Sequence, residues 1–424
     1  MSIREDAANM KSVAPYLAAS DIEQRNKALE LIMDAIKDNS DKIFTANNID
    51  MGEAMKGGVP SAVLKRLKFD EGKLKSVLDG IDMLISLPDP VGRVTLHRQL
   101  DEGLELTRVS CPIGVIGVIF EARPDAMIQI ATLCIKSGNC AILKGGKETT
   151  QTNRVIFSLI KEAVGKVGLP EDCLYQATSH SEIDELLDCY GDVDLIIPRG
   201  SNAFVQYIMN NTRIPVMGHA DGICHIYVDK AADFDMAIKV ITDAKIQYTA
   251  ACNAVETLLV HKDIAGEFLP VLYKAMNEAG VTLKGDFATR GLIPVEAVGE
   301  EGYVEYLDLI ASVKVVDSLH AAVEHINRFG SHHTDSIITE DTEAADAFQQ
   351  LVDSAGVYHN CSTRFADGFR YGFGAEVGIS TSKLHARGPV GLEGLVTYKY
   401  RLKGQGHIVD DYATGVKSFH FKDI

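Results

Sequence analysis

Over residues 1–85 apolar side chains recur at helical spacing, as at Ala28, Leu31, Ile32, Ala35 and Ile36, which share one helix face. Just upstream, Ser20-Asp21-Ile22-Glu23 has the form of a capping box. Pro88-Asp89-Pro90 closes this region, and polarity then alternates in Val94-Thr95-Leu96-His97 and in Leu104-Glu105-Leu106-Thr107-Arg108-Val109. The turn residues Asp101-Glu102-Gly103 between them predict a hairpin. From residue 113 the pattern becomes strand then helix, repeated. Residues 113–120 and 140–144 are continuous apolar runs, as strands buried on both faces require, while 125–136 and 149–164 have helical periodicity. A third unit follows at 193–198, with a helix from about residue 202. A second strand–helix series begins at His225-Ile226-Tyr227-Val228 and continues through 256–260, 313–316 and 336–338. The alternation predicts an α/β chain with two doubly wound parallel-sheet lobes. The last stretch, 395–424, alternates and is charged, which suits an arm or edge strand used in oligomer contacts.

Composition narrows the function without naming it. The chain has 424 residues, 46% hydrophobic and 24% charged, enough apolar material for a substantial core. A formal net charge of −17 argues against a nucleic-acid partner, although local basic groups still set the field in a cleft. The eight cysteines contain no CxxC pair, and no His/Cys/Asp cluster has zinc-ligand spacing, so the expectation is free thiols and no metal. No signal peptide is visible, and no apolar run approaches the roughly 18 residues that span a bilayer. A cytoplasmic location is expected, with no membrane partner.

Candidate chemistry centres on Tyr248-Thr249-Ala250-Ala251-Cys252-Asn253-Ala254-Val255-Glu256-Thr257. A thiol among small residues just ahead of a buried strand can face a cleft, and the amides after it can stabilise a thiolate or an oxyanion. A merely buried cysteine fits the same spacing. Lys144-Gly145-Gly146-Lys147-Glu148 joins a strand to a helix, where paired glycines, two lysines and a helix N-terminus suit a phosphate. A plain glycine turn with solvated lysines is the alternative. Arg123, in Glu121-Ala122-Arg123-Pro124, falls at a strand's carboxyl end, where open α/β sheets bind ligands; a simple ion pair with Glu121 competes with that reading. Gly218-His219-Ala220-Asp221-Gly222 offers His219 as an acid, a base or a structural group. His385-Ala386-Arg387-Gly388-Pro389 sits in a stretch too irregular to be core.

Taken together, these segments and Ile197-Pro198-Arg199-Gly200 resemble the gamma-glutamyl phosphate reductase branch of the aldehyde dehydrogenase superfamily, over residues from about 5 to about 415. The resemblance implies an NADPH-dependent reductase of L-glutamyl 5-phosphate in proline synthesis. It implies Cys252 as nucleophile with Asn253 beside it. Arg123, Arg199, His219 and Arg387 would bind the substrate, and Lys144, Gly145, Gly146, Lys147 and Glu305 the cofactor. It also implies a homo-oligomer that acts separately from the glutamate 5-kinase that would hand over its labile substrate. The implied division is an NADP-binding domain at 1–223, a catalytic domain at 224–369 and an oligomerisation arm at 395–424. The hairpin 93–110 and the segment 370–394 would contribute to the arm and the nucleotide lobe. Ordinary aldehyde dehydrogenases carry an Asn where this chain has Ala122 and a general-base Glu where it has about Gly218. A reductase must keep its thioester from water, so the missing base fits reduction better than aldehyde oxidation.

Overall fold

The structure of the chain, a computed structural model, describes residues 2–179, 181–218, 221–299 and 302–424. It divides into two compact units. One comprises Met1–Met217, Phe373–Gly378 and Val390–Ile424; the other comprises Gly218–Gly372 and Ile379–Pro389.

Five helices open the first unit, Ile3–Ala18, Ile22–Asp38, Ser40–Lys56, Ser61–Leu67 and Glu71–Ser86. The capping box expected at Ser20 is corrected. Asp21 is the N-cap and accepts from the Gln24 amide at 2.7 Å, while the Ser20 hydroxyl donates to the Leu17 carbonyl. The box forms instead at Ser2 and Glu5, ahead of the first helix. Beyond the hairpin Val94–Asp101 and Leu104–Pro112 comes a parallel sheet in the order Leu174–Ala177, Cys140–Gly145, Val115–Phe120, Leu195–Arg199. Val115–Phe120 is buried along its whole length, with a neighbour on each side. The chain winds outward from this strand and then returns to its other side. The switch point therefore lies between Val115–Phe120 and Leu195–Arg199, where Phe120 pairs with Arg199. The sequence reading missed Leu174–Ala177, whose middle residues Tyr175 and Gln176 lack an apolar signature.

The C-terminal stretch is not a separate body. Val396–Lys403 pairs antiparallel with Leu104–Pro112 in an unbroken register from Val396 opposite Pro112 to Lys403 opposite Glu105, so it belongs to the first unit. The four-stranded antiparallel sheet runs Val396–Lys403, Leu104–Pro112, Val94–Asp101, Lys422–Asp423.

The second unit holds seven parallel strands in the order Glu296–Ala297, Thr282–Gly285, Ile310–Val316, Val255–His261, Cys224–Val228, Thr334–Ile338, Gly356–His359. Alternate side chains of Val255–His261 feed two different cores, as the two-residue period of a strand dictates. Leu258 and Val260 pack with Phe268 and Leu272 on one face, and Leu259 packs with Tyr227, Ile337 and Phe348 on the other. The unit begins at Gly218 rather than at the expected 224, because the loop ahead of Cys224–Val228 is tied inward: the Ile223 amide donates to Ser331 Oγ at 2.8 Å. The expected 370–394 segment is itself split, with 379–389 in this unit. Among the described residues no helix is long and apolar enough to cross a membrane.

Candidate functional site

In the first unit the predicted ligands collect at the carboxyl ends of the parallel strands. After Phe120 the chain takes a left-handed turn at Ala122 (φ 45), held by the Ala122 amide donating to Glu148 Oε1 at 2.7 Å. Arg123 follows at the N-cap of the helix Pro124–Lys136. Glu121 does not pair with it; the Glu121 carboxylate accepts from the Ser201 amide at 3.3 Å. Arg123 is half-buried, and its guanidinium makes no hydrogen bond or ion pair with a described residue. Arg199, at the end of its own strand, donates from Nη1 to the Glu376 carbonyl at 3.3 Å.

The lysine–glycine loop closes the same rim. Its strand ends at Gly145, and a short 3-10 turn, Lys147–Thr149, leads into the helix Thr150–Lys166. A Cβ on Gly145 would strike Asn153 Nδ2, and one on Gly146 would strike the Glu148 carboxylate. Glycine therefore lets the loop lie flat on these side chains. Lys144 is buried at 5% exposure, its Nζ donates to the Gly145 carbonyl at 2.6 Å, and burial lowers its pKa. Lys147 is exposed, and the buried Asn153 Oδ1 has no partner.

In the second unit the candidates gather at the opposite rim, ahead of the strands. Cys252 is half-buried in the turn between the helix Phe234–Ile246 and the strand Val255–His261. Gly222 lies directly on it: an added Cβ would come within 2.5 Å of Cys252 Cα and would strike the Cys252 carbonyl oxygen. Neither the Cys252 amide nor the Asn253 amide has a hydrogen-bond partner among the described residues. Asn253 is 4% exposed, and its Nδ2 donates to the Ala366 carbonyl at 2.8 Å. Glu305 Oε1 accepts from the Gly222 amide at 3.0 Å. Arg387 Nη2 donates to the Asp353 carbonyl at 3.2 Å and to its carboxylate at 3.1 Å, leaving a buried Nε without a partner. Lys383 pairs with the same carboxylate at 2.6 Å, and that bond, with Arg387, holds the Asp353 carboxyl below its ordinary range. His219 lies outside the described residues.

Burial disfavours the thiolate at six of the eight cysteines. All eight cysteines are free, and burial pushes Cys134 and Cys140 up to about 12. It likewise raises Cys173, Cys189, Cys224 and Cys361, which disfavours the thiolate at all of them. Cys224 is anchored to Cys252, its thiol donating to the Cys252 carbonyl at 3.3 Å. Sequence reasoning missed three features. One is Gly222, legible only as a turn residue. Another is the fully buried pair Lys245–Glu256 (2.6 Å), in which burial lifts Glu256 to about 7 and lowers Lys245. The last is Arg364, an isolated arginine in Ser362-Thr363-Arg364-Phe365. Among the described residues no group of three or more His, Cys, Asp or Glu is placed to hold a metal ion.

Comparison with known proteins shows the family. The family model described as "Aldehyde dehydrogenase family" matches residues 2–289. The gamma-glutamyl phosphate reductase of Acetivibrio thermocellus is 56% identical over 420 residues, 99% of this chain and 97% of that protein. The crystal structure of gamma-glutamyl phosphate reductase from Thermotoga maritima is 38% identical, covers 96% of this chain and 100% of its own, and superposes with a TM-score of 0.93. An engineered glycolyl-CoA reductase with bound NADP+ is only 13% identical and shares the fold alone, with a TM-score of 0.63 over 95% of this chain and 96% of that one. The chain belongs to the aldehyde dehydrogenase family and, within it, to the gamma-glutamyl phosphate reductases.

Proposed function

We propose that this oxidoreductase uses NADPH to reduce L-glutamyl 5-phosphate to L-glutamate 5-semialdehyde and phosphate, a step of proline biosynthesis. The observation that carries the reading is the half-buried Cys252 thiol beside two unpartnered amides, its own and that of Asn253. The Cys252 sulfur attacks the acyl carbon and phosphate leaves with the electron pair of the broken carbon–oxygen bond. The two free amides are placed to receive the negative charge that develops on the carbonyl oxygen. NADPH supplies the hydride that turns the resulting thioester into a thiohemiacetal, and collapse of that species to the aldehyde returns the sulfur. By resemblance, the water-activating Glu of ordinary aldehyde dehydrogenases falls at about Gly218, and without that base the thioester is kept from hydrolysis while it waits.

The first unit is read as the NADPH-binding one. Its rim fits a phosphorylated ribose: Lys144 is a buried ammonium with a single carbonyl partner, Lys147 is open, and Asn153 Oδ1 is unpaired. Glu305 is assigned to the ribose of the cofactor, and Arg123, Arg199, Arg387 and His219 to the anionic substrate. Eight free cysteines support a reducing, cytoplasmic setting. The exposed edge strand Val396–Lys403, with Tyr398 and Tyr400 outward, supports assembly into a homo-oligomer. An acyl phosphate is labile, which supports direct hand-over from glutamate 5-kinase.

The test runs in reverse. Oxidation of glutamate semialdehyde by NADP should require phosphate or arsenate and should stop after one hydride transfer without them. Steady NADP reduction at a comparable rate in phosphate-free buffer would instead mark an aldehyde-oxidising dehydrogenase.

A further inference from the structure

The segment after the strand Gly356–His359 brings to the nucleophile an arginine that no motif indicated. The chain turns at Asn360 (φ 54), whose side chain accepts from the Thr339 amide and donates to the Thr339 carbonyl, each at 2.9 Å. Cys361 then lies beside Ser336, whose hydroxyl donates to its carbonyl at 2.9 Å, although Tyr358 already opposes Ser336 on the outward pass. The chain has therefore reversed, and it runs back toward the amino rim of the sheet. There Thr363 Oγ1 donates to the Asn253 carbonyl at 2.7 Å, and Asn253 Nδ2 donates to the Ala366 carbonyl at 2.8 Å. Arg364 sits between these two ties to the residue next to Cys252.

Arg364 is 8% exposed. Its Nε donates to Gln247 Oε1 at 2.9 Å, and its Cζ lies 5.9 Å from the centre of the Tyr248 ring, so the turn leading to Cys252 itself orients the guanidinium. Nη1 and Nη2 have no hydrogen-bond partner among the described residues. With no partner among the described residues, the fork reaches solvent, where an anion can meet it, and its planar geometry matches a phosphate. Burial lowers the Arg364 pKa, Arg370 adds to that, and Cys252, Asp367 and Asp243 oppose it.

We propose that Arg364 is an anion-binding residue of the reaction centre, and that its Nη1/Nη2 fork holds the phosphate displaced by Cys252. The inference rests on the acyl-phosphate chemistry proposed above. As the sulfur–carbon bond forms and the carbon–oxygen bond to phosphate breaks, the electron pair moves onto the phosphate oxygen, and a bidentate cation stabilises that growing charge. In the reverse direction the same fork holds inorganic phosphate for attack on the thioester.

The test follows alkylation of Cys252 by iodoacetamide, located by peptide mass spectrometry, at increasing inorganic phosphate and constant ionic strength. Phosphate should slow alkylation of the unaltered enzyme. Arg364→Met should raise the half-protecting phosphate concentration by about tenfold or more, the scale of a lost charge-assisted bond. Arg364→Lys keeps the charge without the fork and should fall between. Gln247→Ala removes only the orienting bond and should shift protection a few-fold. The last two variants are conservative enough to carry the test if Arg364→Met does not fold by its thermal melt. Protection of Arg364→Met and Arg364→Lys at the unaltered enzyme's phosphate concentration, or no protection of the unaltered enzyme, overturns the assignment. Alkylation confined to another cysteine, or turnover retained in Cys252→Ser, would instead overturn the reductase reading itself.

Discussion

The two units are both parallel, doubly wound sheets, yet they present their candidate chemistry at opposite ends of the strands. In the first unit the Arg123, Lys144–Lys147 and Arg199 segments follow strands and run into the helices Pro124–Lys136, Thr150–Lys166 and Asn202–Asn210. Helix N-termini there carry the positive end of the dipole, which favours negative charge: the Gln151 and Thr152 amides hold the Asp50 carboxylate and the Ser201 amide holds that of Glu121. In the second unit the corresponding segments precede strands and come after helix C-termini, as Cys252 follows Phe234–Ile246 and Asp353 follows Thr342–Leu351. That rim carries the negative ends of helices, so positive charge has to come from side chains. Arginine, with its permanent charge, is the residue suited to the task, and Arg364 and Arg387 occupy that rim.

The largest effect that would break this contrast is loss of the Cys252 thiol. Cys252→Ser should lower kcat by a factor of about 10³ or more while leaving the thermal midpoint and the NADPH dissociation constant unchanged, because only the second unit's chemistry is removed. Turnover near the unaltered rate would sink the assignment. Next in size is the buried pair. Lys245→Met leaves Glu256 without its partner and should cost about 3–5 kcal/mol in urea unfolding of the transition that reports the second unit, and Lys245→Met with Glu256→Leu should recover most of it. A single variant within about 0.5 kcal/mol of the unaltered protein would show that the pair is not buried in solution.

A smaller effect sharpens the contrast from the other side. Replacing Lys144 and Lys147 with Ala should raise the NADPH KM by about tenfold or more, as loss of charge-assisted contacts of about 1.5–3 kcal/mol implies. It should change kcat little and leave iodoacetamide labelling of Cys252 untouched. An NADPH KM within about twofold of the unaltered value would remove the rim from the cofactor site.

The smallest is a pH effect confined to the second unit. His325 is buried with both ring nitrogens unpartnered, its ring edge-on to His225 and to Tyr303, and burial, with His225 and Lys314, lowers its pKa to about 3. The unfolded imidazole binds its proton near pH 6.5, so the stability this group contributes is present above that pH. It is lost as pH falls toward about 3, at about 1.4 kcal/mol per pH unit. His325→Phe should flatten that acid limb, and an unchanged slope would remove His325 as its source.

Much of this was legible in the chain because burial on both faces leaves an unmistakable apolar run, as at Val115–Phe120 and Val255–His261. Of the strands that escaped notice, Leu174–Ala177, Thr282–Gly285 and Gly356–His359 are four residues each and mix polar with apolar positions, and Glu296–Ala297 is only two residues long. The places of the motif segments were legible too, since glycines and cationic residues directly after an apolar run mark a strand end, as at Gly145 and Arg199. Arg364 was not, because its place beside Asn253 depends on the turn at Asn360 and on a reversal that leaves no local periodicity. The Lys245–Glu256 pair is invisible for a related reason: one partner sits on a helix and the other on a strand, 11 residues apart, with no spacing rule joining them.

The pairing of Val396–Lys403 with Leu104–Pro112 has a consequence for how the molecule is made. About 290 residues separate the partners, so on a ribosome adding about 5–20 residues per second the inner strand waits on the order of tens of seconds for its neighbour. During that interval the hairpin offers a bare row of amides and carbonyls, with Leu104 and Val109, both buried in the finished protein, on its surface. Crowded synthesis should therefore favour pairing between nascent chains, and truncation before residue 396 should leave a product that aggregates through this hairpin even though the second unit is complete.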